Sequence, residues 1–147
     1  MGAPSSTETE RVRVVLDTNT VLSARLFPRG RLSWIPQLWM AKSIRPVVCR
    51  ATARELVDTL AYPKCRLTEH DIQIVLGAYL PFTDTVEVHA RIGSIPRCRD
   101  PDDQVCVSLA VRGRAEGLVT GDRALLARRG NTACAIEPAA EFKRRVR

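Results

Sequence analysis

The chain has 147 residues, enough for one domain around one filled core, and 45% of them are hydrophobic, an ordinary share for a globular protein. Lys and Arg total 23 against 16 Asp and Glu, a formal charge of +7 carried mostly by Arg, so a polyanionic partner is expected, nucleic acid first. Aromatics at 5% argue against base stacking as the main grip, and no apolar run reaches the roughly 18–20 residues of a membrane span, so no membrane partner is expected.

Residues 1–10 are polar and read as a disordered tail. They carry no apolar signal segment; Gly2 and Ser6 fit a loose myristoylation pattern, but a polar, frayed terminus is the better reading. Arg11–Leu16 is a β-rich run that reads as a first strand, ending at Asp17-Thr-Asn-Thr20, after which Val21, Leu22 and Ala24 follow helical spacing. Phe27-Pro-Arg-Gly30 breaks the chain. A second helix carries Leu32, Ile35, Leu38 and Trp39, with Pro36 starting or kinking it.

Pro46–Cys49 reads as a second strand and residues 51–60 as a helix with Leu56, Val57 and Leu60 facing inward. Thr68 and Asp71 form a capping pattern that opens a helix with Ile72, Val75, Leu76, Tyr79 and Leu80 on one stripe, stopped by Pro81. Thr85–Val88 is a third strand. Asp100-Pro-Asp-Asp103 has the cap, the N-terminal proline and the early acids of a helix start. Gly117–Thr120 is a fourth strand, Asp122–Leu126 opens a short helix, and Ala133–Ile136 is a fifth strand. Phe142 lies in a basic tail, 141–147, that reads as a half-turn or as disordered.

Strands alternating with helices imply an α/β domain over residues 11–140, with a five-stranded, mostly parallel sheet covered on both faces. Cys49, Cys65, Cys98, Cys106 and Cys134 are odd in number and form no Cys-x-x-Cys pair. They suit small buried hydrophobes in a reducing, cytoplasmic setting rather than a disulfide frame or a zinc site. His70 and His89 have no partners at metal-ligand spacing.

In open α/β sheets ligands lie beyond the carboxyl ends of the strands, near the reversal in strand order. Asp17 follows the first strand and Asp122 follows the fourth, while Glu55 and Asp103 lie on the intervening helices, so four acids can converge. Two carboxylates about 5 Å apart repel by roughly 3 kcal/mol at an effective dielectric near 20, which a cation would offset. An all-oxygen, water-keeping set suits Mg2+ or Mn2+, which can polarise a phosphoryl oxygen and activate water. Each acid also has a plainer reading: Asp17 as a turn residue, Asn19, Asp100 and Asp122 as helix caps, Glu55 as a solvated helix acid, Asp102 and Asp103 as partners of the helix dipole.

The run Val-Val-Leu-Asp17-Thr-Asn-Thr-Val-Leu resembles the opening motif of PIN domains. Ala53-Arg-Glu55-Leu-Val-Asp-Thr-Leu, then Tyr62-Pro63, resembles that family's central helix; Cys98-Arg-Asp-Pro-Asp-Asp103-Gln resembles its third acidic motif, and Leu118-Val-Thr-Gly-Asp122-Arg-Ala-Leu-Leu its fourth. The resemblance spans about residues 11–137 and leans toward the VapC-like toxins of toxin–antitoxin systems. It implies a three-layer α/β/α PIN-like fold and a metal-dependent ribonuclease for single-stranded RNA, a homodimer held inactive by an antitoxin. It also implies Asp17, Glu55, Asp103 and Asp122 as catalytic metal-site acids, with Asn19, Asp100 and Thr120 in support. Cys49 departs from the Ser or Thr that commonly caps the central helix in relatives. A haloacid-dehalogenase-like phosphohydrolase is the less apt enzyme reading, because Asn19 stands where its acid/base Asp is needed. A degenerate PIN fold that binds RNA as an adaptor is the non-enzymatic one.

Overall fold

The computed structural model describes residues 12–88, 101–130 and 135–146, with the backbone alone at 101–103. The expected disordered tail, His89, Cys98, Asp100 and Cys134 lie outside the described residues.

In chain order the elements are β1 (Val12–Leu16), α1 (Thr18–Leu26), α2 (Ile35–Met40), β2 (Ile44–Val48), α3 (Arg50–Leu60), α4 (Glu69–Gly77), β3 (Asp84–Thr85), α5 (Pro101–Arg112), β4 (Gly117–Val119), α6 (Arg123–Leu126), β5 (Ala135–Glu137) and α7 (Ala139–Arg145). Short 3-10 turns lie at Pro63–Cys65 and Leu80–Phe82. The sheet runs β3-β2-β1-β4-β5, every pairing is parallel, and helices cover both faces. This is the three-layer α/β/α arrangement expected from the alternation of elements.

Period-two alternation in β1 builds the two cores. Val14 and Leu16 point to one side, into a cluster with Val21, Trp39, Leu56, Leu60 and Tyr79. Val15 points to the other, into a cluster with Val47, Val107, Leu109 and Leu118. The chain therefore lays α1 to α4 and α7 on one face and α5 and α6 on the other. The strand order reverses between β1 and β4, which opens a crevice beyond their carboxyl ends.

Local chemistry sets the helix boundaries. Pro36 stands in the first turn of α2, where a missing N–H costs nothing. Thr68 and Asp71 exchange hydrogen bonds of 3.0 and 3.1 Å between side chain and backbone, a reciprocal cap on α4. At Cys49, which begins α3, the cap is inverted: the Thr52 hydroxyl accepts from the Cys49 N–H at 3.0 Å and donates to its carbonyl at 3.1 Å. The Trp39 indole N–H donates to the Ala78 carbonyl at 2.9 Å and its ring meets Tyr79 edge-on at 4.8 Å, fixing the end of α4 against α2.

Two expectations change. Val57, expected to face inward with Leu56 and Leu60, is 39% exposed, because only positions 56 and 60 of α3 meet the sheet side. Phe142 is fully buried on the seven-residue helix α7, which extends well past a half-turn. Its ring lies 6.1 Å from that of Trp34, and Arg145 at the end of α7 reaches back to the buried Glu137 of β5 at 2.8 Å. One apolar anchor and two ion pairs, Arg145 with Glu137 and Arg129 with Glu141, dock this helix with its basic last turn.

Phe142→Ala is expected to cost about 3–5 kcal/mol by leaving a cavity under α7. Val57→Ala should cost under about 1 kcal/mol, since over a third of its surface stays in water and no closed cavity is left. Urea unfolding of both variants checks this; equal losses would place the core boundary elsewhere.

Candidate active site

Asp17 is the first residue beyond β1 and is only 9% exposed. Its backbone N–H continues the ladder to the Val119 carbonyl of β4 at 3.2 Å. One carboxylate oxygen, Oδ1, accepts from the Thr20 N–H at 2.8 Å, so Asp17 itself is the N-cap of α1. The other, Oδ2, accepts a short hydrogen bond from the Thr120 hydroxyl. Thr120 is buried at the carboxyl end of β4, and its oxygen in turn accepts from the Asp122 N–H at 2.9 Å. A single threonine hydroxyl thus joins the acid after β1 to the segment that carries the acid after β4.

Asp122 is exposed and caps α6, its Oδ1 accepting from the Ala124 N–H at 2.8 Å. Each Asp17 oxygen and one Asp122 oxygen have a protein donor, yet an ionised carboxylate offers about four lone-pair directions, so both groups retain acceptor capacity. The capping bonds orient these acids without consuming them.

Glu55 stands half-buried on α3, and its carbonyl accepts from the Thr59 hydroxyl at 2.7 Å. Asp103 belongs to the first turn of α5, and its side chain lies outside the description, as does all of Asp100. Asn19 is exposed in the first turn of α1; the capping role considered for it belongs to Asp17. Among the described residues, no three His, Cys, Asp or Glu side chains gather as a ligand group. The structure therefore brings together Asp17, Thr120 and Asp122, with α3 packed against both α1 and α5.

Thr20 is a contributor the sequence reading passed over. It is buried, gives Asp17 its backbone N–H, and its hydroxyl lies 3.4 Å from the Val119 carbonyl. The three-residue spacing from Asp17 to Thr20 is the ordinary reach of an N-cap and was the available signal.

A family model described as a PIN domain matches residues 13–124, most of the chain and every element that frames this crevice. The chain belongs to the PIN-domain family. The PIN fold also relates it to the crystal structure of PAE2754 from Pyrobaculum aerophilum, at a TM-score of 0.60 and 18% identity over 90% of this chain and 88% of that one. No curated protein matches. In this PIN domain the first and last acidic motifs meet through Thr120.

Thr120→Val keeps the shape of the side chain but leaves a buried Asp17 oxygen and the Asp122 N–H without that partner. A loss of about 1–3 kcal/mol is expected, with Thr120→Ser recovering most of it. Chemical denaturation of the three proteins tests this; a Val variant as stable as the parent would show that the hydroxyl link carries no weight.

Proposed function

We propose that this PIN domain is a divalent-metal-dependent ribonuclease acting on single-stranded RNA, with Asp17, Glu55, Asp103 and Asp122 as its metal-site acids. The observation that carries the reading is the Asp17–Thr120–Asp122 link at the point where strand order reverses. The oxygen-only donor set fits Mg2+ or Mn2+ better than a softer metal. Bound there, the ion would polarise a phosphoryl oxygen and activate a water for attack on the phosphodiester.

The chain's own residues do the positioning. Thr20 and Thr120 hold the two Asp17 oxygens in a fixed orientation. Thr120 also sets the backbone of Asp122, whose carboxylate is exposed and accessible to a substrate. Arg29, Arg31, Arg50, Arg54 and Arg123 are all exposed and supply cationic surface for a phosphate backbone. Asn19 and Asp100 are proposed as outer polar supports. A role as the toxin of a toxin–antitoxin pair, with an antitoxin partner, a homodimeric state and a cytoplasmic site of action, extends the same proposal. Among the described residues no helix is long and apolar enough to cross a membrane.

A second reading has its own support. Asp17 and Asp122 both serve as helix caps, and no ligand trio forms among the described residues, which favours a PIN fold that binds RNA without cutting it.

Cleavage of single-stranded RNA with magnesium or manganese, and its loss in chelator, separates the two. Asp17→Asn should lower the rate by more than about 100-fold with the fold retained, since loss of even an outer partner of a metal site costs 10–100-fold. Glu116→Gln, an exposed acid at the opposite end of the sheet, should leave the rate unchanged. RNA binding without cleavage under every metal condition would establish the second reading. Cleavage insensitive to Asp17→Asn would remove the assigned site.

A further inference from the structure

Beneath the crevice lies a small void of about 10 Å³, lined among others by Leu16, Thr18, Thr52, Leu56, Tyr79 and Cys106. Its lining tracks the acids: Thr18 is next to Asp17, Thr52 is three residues before Glu55, and Cys106 is three residues after Asp103. Tyr79 is 1% exposed, and its buried hydroxyl has no hydrogen-bond partner among the described residues. Burial pushes the phenol well above its ordinary range, and the Cys106 thiol adds to the shift. The hydroxyl is therefore a protonated donor, and Tyr79 and Cys106 border the same void.

A buried hydroxyl with no partner costs about 1–3 kcal/mol, and native folds seldom carry one. The void has about the volume of one water probe, and a buried water typically makes two to four hydrogen bonds. Tyr79, Thr18, Thr52 and Cys106, each with a polar side-chain atom, are among the residues that line it. The Thr52 hydroxyl is held by the Cys49 backbone, Tyr79 brings the unpartnered hydroxyl, and Thr18 and Cys106 line the same space from α1 and α5.

We propose that Tyr79 and this void form a binding site for one structural water, which ties α4 to α1 and α5 at the floor of the acidic crevice and so makes Tyr79 a positioning residue for the metal site. The phenol donates to the water oxygen; the water's protons go to acceptors on α1 and α5. The tie holds α5, which carries Asp103, at a fixed separation from α1 and Asp17. The positioning half rests on the metal-site reading above; the water site does not.

Tyr79→Phe tests both halves, because it keeps the ring against Trp39 and removes only the hydroxyl. The thermal midpoint of the metal-free variant should fall by about 3–5 °C, the shift expected for roughly 1 kcal/mol in a domain of this size. A midpoint unchanged or raised would mean that the hydroxyl is truly orphaned, and would overturn the water site. High-resolution crystals should show one water within hydrogen-bond reach of Tyr79 Oη in the parent and none in the variant; a dry parent would overturn it as well. In manganese titrations followed by melting, the variant should bind several-fold more weakly than the parent. Equal manganese affinity would overturn the positioning role. A parent that shows no manganese shift would instead refute the metal-site reading, while the water site still stands or falls on the first two measurements.

Discussion

The hydrogen bond from Thr120 to Asp17 is the constraint on which the site depends. It connects the carboxyl ends of β1 and β4, the two strands between which the order of the sheet reverses. Because the strands are parallel and in register from Val14–Gly117 to Leu16–Val119, the residues that follow them emerge side by side. Asp17 and Thr120 are those residues. The sheet thus sets the spacing of the site, and the capping bonds to Thr20 and Ala124 set its orientation.

This arrangement has an electrostatic consequence. Asp17 is a nearly buried acid whose protein partners are a hydroxyl and a backbone N–H rather than an Arg or Lys. Among the described residues the ion pairs lie elsewhere: Arg13 and Arg45 meet Asp84, Arg129 meets Glu141, and Arg145 meets Glu137. Asp84, Glu137 and Glu141 are paired with arginine, whereas the described partners of Asp17 are neutral dipoles. That is the environment in which a cation from solution has the most to gain. The exposed side of Asp122 then leaves the crevice open to solvent.

Much of this was legible in the sequence, and the reasons differ by residue. The five strands and their parallel alternation with helices follow from short β-branched runs separated by amphipathic segments. Pro36 and the Thr68–Asp71 pair mark helix starts through local chemistry that tertiary packing does not override. The placement of Asp17 and Asp122 beyond the carboxyl ends of β1 and β4 was legible because each follows a short β-rich run. The Asp17–Thr120 bond was not, since it joins residues 103 apart whose adjacency depends on which strands pair. Phe142 was hidden by its basic neighbours: a lone aromatic has no period to reveal which side it buries. Val57 misled for the opposite reason, as an apolar residue one position off the buried stripe. Tyr79 was visible as part of a core stripe, but its stranded hydroxyl becomes apparent only once every neighbour is in place.

The central claim is that Asp17 and Asp122 share a cation. Anomalous diffraction from crystals equilibrated with manganese measures this directly. The account predicts a manganese peak coordinated by the Asp17 and Asp122 carboxylates, with Glu55 or Asp103 completing its protein ligands and the Thr120 bond to Asp17 intact. Ordered carboxylates with no anomalous peak between them at saturating manganese would contradict it.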